Sequence, residues 1–416
     1  VSHVRWTVVA LLFFAVTINY VDRAVIGVLK PVLDQALGWD QRDYGWMVTA
    51  FQAAYAIGYA VSGRLLDRFG IRLGFSVAVA LWSLAAMAHG AMSTVLGFSV
   101  ARAALGLAEG GTLPAAVKGV SEWFPREQRA FATGMFNAGS NVGAITCPVV
   151  VPWLAGRWGW QGAFVATGAI GFVWLAVWLW LYRAPDQHPL VNAEELAYIR
   201  KDPPEPPHPH LPWAALLGKP QTWAFMIGMM ASSPVWWFYI FWVPDFLNKQ
   251  FGLGLTQSSL PLVVIFTVAS AGGVGGGWLS SKLLRAGWTV NAARKTALLA
   301  CSACILPVFI TPLVPVTHVW WAVAIVTLAA AAHCGYAANL FTLVSDTVPR
   351  QAVSSVVGIG GMAGSIAGMF FAQLVARVLY ATHDNFVVPF AIAACTYSLA
   401  LLAIHLLLPR LEPMTI

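Results

Sequence analysis

Four ionisable residues stand where their surroundings are apolar. Asp22 and Arg23 lie in Ile18-Asn19-Tyr20-Val21-Asp22-Arg23-Ala24, and Arg102 and Glu109 lie in the run from Val100 to Gly110. An acid beside an arginine can do two kinds of chemistry in a low-dielectric setting. The two can form a structural ion pair, or the arginine can hold an anion while the acid takes and gives a proton. If a carboxylate ligand takes over the arginine, the acid loses its counter-charge, and ligand binding becomes linked to protonation. Both alternatives remain open at this level: two ion pairs that hold helices together, or a proton site plus an anion site. We favour the second, because ionisable residues inside a membrane are functional by default. Arg102 and Glu109 are seven residues apart and share one helix face, whereas Asp22 and Arg23 point about 100° apart and serve different partners. The second half has no such charge. Its polar candidates are Trp236, Trp237, Tyr239, Asn339 and Thr342; in the first half Tyr55, Asn137, Ser140 and Asn141 are comparable. Trp and Tyr present a flat face and one donor, and Asn offers both donors and acceptors, a set suited to a hydroxylated ligand. For the aromatic residues, core packing is an equal reading. His89, His333 and His405 are isolated in apolar runs and are taken as core or interface histidines, with a cavity position for His333 as the lesser alternative. Cys301-x-x-Cys304 has no neighbouring His, Asp or Glu, so no metal site is expected.

The elements that must position these residues follow from composition. Of 416 residues 59% are hydrophobic and 10% charged, which excludes a water-soluble domain or a disordered chain. A membrane helix needs about 20 apolar residues, so the apolar stock fills roughly a dozen spans and leaves no room for a large catalytic domain. No cleavable signal peptide is read. Apolar runs place spans near 5–30, 44–63, 73–92, 94–117, 129–153, 160–182, 221–244, 257–280, 296–313, 319–342, 352–379 and 385–408. The expected fold is therefore an all-α polytopic membrane protein. It has a six-helix bundle over 1–182, a Pro-rich linker over 183–219, and a second six-helix bundle over 220–416. The linker contains Asp-Pro-Pro-Glu-Pro-Pro-His-Pro-His and reads as an extended, stiff connection.

Charge gives the orientation. With both termini cytoplasmic, seventeen basic residues fall on the inner side, among them Arg64, Arg68, Arg72, Lys118, Arg126, Arg129 and Arg350. Five fall on the outer side: Lys30, Arg42, Arg157, Lys249 and Arg377. The net charge of +7 thus reflects positive-inside topology in an inner membrane and implies no nucleic-acid partner.

The halves echo each other. Ser121-Glu-Trp-Phe-Pro125-Arg126 matches Ser345-Asp-Thr-Val-Pro349-Arg350, with Gly134, Gly139-Ser140 and Gly143 against Gly358, Gly364-Ser365 and Gly368. Gly63-Arg-Leu-Leu-Asp67-Arg68-Phe-Gly70-Ile-Arg72 is echoed by Gly277 to Arg285. Two matches in the same order argue for duplication of a six-span unit, the architecture of alternating-access carriers.

The loop Gly63…Asp67-Arg68-Phe-Gly70-Ile-Arg72 resembles the signature between spans two and three of the major facilitator superfamily, where it serves as a gating loop. The later copy departs from the signature, with Ser281 where an acid is common. Asn19-Tyr20-Val-Asp22-Arg23, Gly106-Leu-Ala-Glu109-Gly110, Phe136 to Gly143, Trp236-Trp237-Phe-Tyr239 and Ala338-Asn339 to Asp346 are similar to the anion:cation symporter family. Within it they look most like bacterial hexuronate transporters, which import glucuronate and galacturonate with protons. The resemblance covers nearly the whole chain. It implies that Asp22 and Glu109 are protonatable, that Arg102 pairs with these acids, and that Arg23 holds the substrate carboxylate. It also implies sugar contacts from Tyr55, Ser140 and Asn141 in the first half and from Trp237, Tyr239 and Asn339 in the second. Ser140, where related carriers have glutamine, fits the hexuronate branch better than the aldonate one. The function expected is proton-coupled import of a sugar-acid monoanion, with an uncoupled facilitator or exchanger of other organic anions as the alternative. No enzyme activity and no cofactor beyond the proton are expected. The partners are the sugar acid and the bilayer, and a monomer is expected to suffice.

Overall fold

A computed structural model describes residues 3–201 and 213–414, apart from the side chains at Gly63, Arg64, Asp67, Arg126, Glu127, Ala130, Arg350, Gln351 and Ser354. The proline run of the linker and two members of the gating loop, Gly63 and Asp67, lie outside the described residues. The described chain is helical: α1 (Val4–Leu37), α2 (Gln41–Ala88), α3 (Val95–Glu109), α4 (Thr112–Trp123), α5 (Arg126–Leu181), α6 (Ala193–Ile199), α7 (Trp213–Leu217), α8 (Pro220–Phe251), α9 (Ser259–Arg285), α10 (Val290–Ile305), α11 (Val319–Thr347), α12 (Arg350–Ala381) and α13 (Val387–Leu407). Among the described residues, nine stretches are long and apolar enough to cross a membrane.

These helices resolve into twelve spans. α2 and α5 each carry two spans joined at a glycine, Gly70 (φ 75°, ψ 161°) and Gly159 (φ 70°, ψ 174°). Only a residue without Cβ adopts that backbone at no cost, so each long helix reverses there with no intervening loop. Both turns fall in gaps of the hydropathy pattern. The predicted fourth span, 94–117, is not continuous: it stops at Glu109, turns through Gly110-Gly111 and resumes at Thr112. Hydropathy misses this break because both sides of it are apolar. At about 1.5 Å per residue, the 34 residues of α1 run about 51 Å, beyond the ~30 Å hydrocarbon layer.

The chain forms two compact units, Val1–Leu37 with Ala50–Pro207 and Gly38–Thr49 with His208–Ile416. Each is built on the same pair of close helix crossings. In the first, Gly139 and Gly143 of α5 lie against α1, where a Cβ would strike the Phe13 and Thr17 carbonyls. In the second, Gly360 and Gly364 of α12 lie in the same way against Phe225 and Ser233 of α8. The other crossing sets Gly58 of α2 against Leu107 of α3, with Gly106 and Gly110 against Phe51 and Tyr59. Its counterpart sets Gly272 and Gly276 of α9 against Ala331 and Gly335 of α11. Small residues at such crossings let backbones approach and gain dispersion contact that lipid cannot supply. Gly58→Ala, whose new methyl lands on the Leu107 carbonyl, is expected to destabilise the first unit by about 1–3 kcal/mol. A lowered thermal midpoint of the purified protein would show this, and an unchanged midpoint would mean that the crossing relaxes freely.

The linker is more than an extended strand of prolines. Asn192 caps α6 by accepting from the Glu195 amide (2.8 Å), and Glu195 is fully buried. Its carboxylate accepts from the amides of Val4 and Arg5 (3.2 Å each) and pairs with the Arg5 guanidinium at 3.2 Å, holding the start of α1. The start of α1 and the linker thus share a buried ion pair. At the other end of α1, Asp40 caps α2 by accepting from the amides of Arg42 (2.8 Å) and Asp43 (2.9 Å). Partial burial opposes the charge, yet these amides and the Arg42 guanidinium win, and the Asp40 carboxyl sits below its ordinary range.

Candidate functional site

The four charges singled out by the sequence are all buried in the interior of the first unit, and Arg23, Arg102 and Glu109 come together there. Asp22 and Arg23 are each 2% exposed, and Arg102 and Glu109 are fully buried. Arg23 projects from α1 to the end of α3, where its Nε donates to Glu109 Oε2 at 2.9 Å. Its Nη2 donates to Asn19 Oδ1 at 3.0 Å, one turn back on α1. Asn19 in turn donates to Thr112 Oγ1 at 3.2 Å, so α1 is tied to both sides of the Gly110-Gly111 break. The break serves the site: it ends α3 at Glu109 and starts α4 at Thr112, placing two polar side chains at one depth.

Aromatic rings enclose the guanidinium. Arg23 Cζ lies 4.8 Å from the ring centres of Tyr20 and Tyr55 and 5.4 Å from that of Phe51. Arg102 Cζ lies 4.3 Å from the Phe51 ring, and its Nη1 donates to the Arg23 carbonyl at 3.4 Å. Faces of aromatic rings stabilise a cation out of water without consuming its N–H donors. The i, i+7 spacing had put Arg102 on the face of Glu109, but the hydrogen-bonded partner of Glu109 is Arg23, from another helix.

Asp22 occupies the other side of α1. Neither of its carboxyl oxygens meets a donor at bonding geometry, and Thr167 nearby turns its hydroxyl to the Phe164 carbonyl at 3.2 Å. Cys147, also beside this stretch of α1, donates to the Val21 carbonyl at 3.7 Å. Of the remaining first-unit candidates, Tyr55 stacks on Phe51 (5.8 Å, 21°), and Ser140 and Asn141 are half-buried on α5. The Ser140 hydroxyl donates to the Asn137 carbonyl at 2.7 Å.

In the second unit Trp237 stacks on Phe241 (5.6 Å, 11°), and Tyr239 is fully buried with a hydroxyl that makes no hydrogen bond. Asn339 spends both N–H donors on α9 and α11, at the Gly276 (3.0 Å) and Gly335 (2.9 Å) carbonyls, and keeps Oδ1 as an acceptor. His333 Nδ1 is hydrogen-bonded to the Tyr397 hydroxyl at 2.6 Å and its ring stacks on Trp236 at 4.9 Å. His89 bonds the Ala85 carbonyl at 2.7 Å and stacks on Phe164, as a core histidine does.

The loop signature splits between the described and the undescribed. Gly70 makes the reversal of α2, and Arg72 Nη2 donates to the Leu179 carbonyl at 2.8 Å. Arg68 lies over Phe69, 5.5 Å from the ring centre. In the second unit, where Ser281 replaces an acid, the ion pair at this level is made elsewhere: Arg294 Nε meets Asp346 Oδ2 at 2.8 Å and its Nη1 meets the Ser280 hydroxyl.

The sequence missed other buried charge. Lys30, fully buried, pairs with Asp34 at 2.6 Å. Asp245, also fully buried, accepts from Gln41 Nε2 at 2.7 Å, and Gln41 donates to Asp384 at the same distance. These residues sit at span ends, which loop counting treats as solvent; the neighbouring Tyr44, whose hydroxyl donates to the Phe241 carbonyl at 2.9 Å, shows how closely that end packs.

Comparisons with known proteins bear on the family and the fold. The sequence profile of the Major Facilitator Superfamily matches residues 12–372. The chain is 28% identical over 380 residues to the hexuronate transporter of Escherichia coli K12, covering 90% of this chain and 88% of that one. It is 30% identical over 285 residues to the galacturonate transporter of Dickeya chrysanthemi, covering 67% of this chain and 82% of the relative. Among solved structures it is similar in fold to a bacterial homolog of the human lysosomal transporter Spinster, with a TM-score of 0.77, 18% identity, and 98% and 97% of the two chains covered. A twelve-helix, multi-pass architecture, twin crossings in each unit and a match over most of its length give one conclusion: the chain belongs to the Major Facilitator Superfamily, a family of membrane transporters and not of enzymes.

Proposed function

We propose that the protein is a proton-coupled symporter that imports a hexuronate-type sugar-acid monoanion by alternating access, with both termini in the cytoplasm. The observation that carries this reading is Arg23: a buried guanidinium held by one carboxylate, one amide oxygen and aromatic faces. A substrate carboxylate replaces the Glu109 carboxylate on Arg23, since both are planar bidentate acceptors. Glu109, displaced in a site of low dielectric, then takes a proton, because a buried carboxylate without a counter-charge is costly. Asp22 exchanges protons without dismantling an ion pair. Arg102, on the Arg23 carbonyl, responds to the charge that Glu109 gains and loses. Tyr55, Ser140 and Asn141 in the first unit contact sugar hydroxyls, and so do Trp237, Tyr239 and Asn339 in the second; the free Asn339 oxygen accepts from one. The loop Gly63, Asp67, Arg68, Gly70 and Arg72 gates the path.

The names of the relatives support the substrate class, because both are transporters of uronic acids. The test is a thermal-shift panel on the purified protein. Glucuronate or galacturonate at about one hundred times its dissociation constant should stabilise by about 2.7 kcal/mol. The uncharged parent sugars should give no shift. Equal stabilisation by glucose and glucuronate would rule out carboxylate recognition by Arg23.

A further inference from the structure

We propose that the cavity in the first unit beside the Gly70 turn binds the headgroup of an anionic phospholipid. The cavity has a volume of about 640 Å³ and lies where α2 reverses, α5 ends and the linker begins. Three arginines line it: Arg72 from α2, Arg183 just past α5, and Arg200 just past α6. Two of them are bonded to main-chain carbonyls. Arg72 Nη2 donates to Leu179 O at 2.8 Å, and Arg183 Nη1 donates to Leu179 O at 2.9 Å and Tyr182 O at 3.0 Å. Neutral carbonyls fix these guanidinium groups in place without cancelling their charge. Arg200 pairs with Asp186, both largely exposed at the mouth.

The remaining acid of the wall is Glu122. Glu122 lies past the end of the fourth predicted span and accepts from the Tyr182 hydroxyl at 3.1 Å. Burial pushes its carboxyl above the ordinary range, against the opposing effects of Tyr182 and Lys118. With three arginines against the carboxyls of Asp186 and Glu122, the formal balance of the cavity wall is positive, and arginine's planar fork suits a phosphate.

The rim distinguishes a lipid from a free anion. Phe69, Leu73 and Leu179 line the same cavity and are 52%, 55% and 43% exposed. They sit at the ends of membrane spans, where an acyl chain lies against apolar side chains while its phosphate reaches the arginines. The basic loops mark this end as cytoplasmic, the face of a membrane that carries anionic lipid, and basic pockets at that level are suited to such headgroups. A bound lipid would join α2, α5 and the linker carrying α6, whose Glu195 holds the start of α1.

The test uses the full chain in uncharged detergent, with phosphatidylglycerol, phosphatidylcholine and inorganic phosphate as probes. Lipid retained is counted by native mass spectrometry, and the thermal midpoint is measured in parallel. Phosphatidylglycerol is expected to be retained and to raise the midpoint, while phosphatidylcholine and inorganic phosphate leave it unchanged. Each of Arg183→Gln and Arg200→Gln is expected to weaken phosphatidylglycerol retention about fivefold. Equal retention of phosphatidylcholine would overturn the proposal, as would undiminished retention of phosphatidylglycerol in the double variant. The same midpoint rise with inorganic phosphate alone would replace it with a free-anion site. If the double variant does not fold, the comparison of the three probes on the wild-type protein decides by itself.

Discussion

Glu109→Gln is expected to abolish uphill accumulation of substrate while leaving exchange of internal for external substrate in place. Glutamine keeps the size of the side chain and an oxygen that can accept from Arg23 Nε, now 2.9 Å from the carboxylate, but it cannot carry a proton in and out. Driving force is lost, not the binding site. Counterflow in proteoliposomes should therefore persist, whereas accumulation driven by an imposed pH gradient should fall to the level of empty vesicles. Asp22→Asn is expected to act in the same direction through the other carboxyl. Because Asp22 is in no ion pair among the described residues and asparagine keeps its size, this substitution tests proton transfer with little structural disturbance. Full uphill uptake by both variants would remove these acids from the coupling step.

Arg23→Ala carries the largest expected effect on binding. It removes the group proposed to hold the substrate carboxylate and leaves Glu109 buried opposite no hydrogen-bonded cation, since the ion pair between them is 2.9 Å long and both side chains are at most 2% exposed. Removing one partner of a buried, hydrogen-bonded charge pair costs about 2–5 kcal/mol, so affinity for a sugar acid should fall by about thirtyfold or more. Arg23→Lys keeps the charge but loses the fork that serves Glu109 and Asn19 together, and should recover only part of the affinity. Isothermal titration with glucuronate separates these expectations. Wild-type affinity in Arg23→Ala would remove Arg23 from the binding site.

Much of the fold was legible because hydropathy records where a chain enters lipid. The twelve spans, and the gaps at Gly70 and Gly159, follow from it. The duplicated unit was visible in two short echoes, and three of the glycines they contain, Gly139, Gly143 and Gly364, stand at close crossings, with Gly360 one turn before Gly364 making the fourth. The break at Gly110-Gly111 was not legible, because hydropathy does not register a turn between apolar stretches.

The candidate site was legible by elimination: in a chain with so few charges, those inside spans stand out. Their pairing was not. Spacing along one helix set Arg102 and Glu109 on a shared face, while the hydrogen-bonded partner of Glu109 is Arg23, from another helix, a relation that local periodicity does not encode. Glu195 with Arg5, and Asp245 with Gln41, were missed for a related reason. Counting charges by loop assumes that loops are solvated, and these ends are packed.

Proton movement driven by substrate alone tests the central claim most directly. Proteoliposomes holding the purified protein and a trapped pH dye receive glucuronate on one side, with no imposed pH gradient or membrane potential. The account predicts that the lumen acidifies as the sugar acid enters, that the acidification is absent with glucose, and that Glu109→Gln abolishes it. Entry of labelled glucuronate at the wild-type rate with no pH change would contradict coupling and identify the protein as a facilitator or exchanger of organic anions.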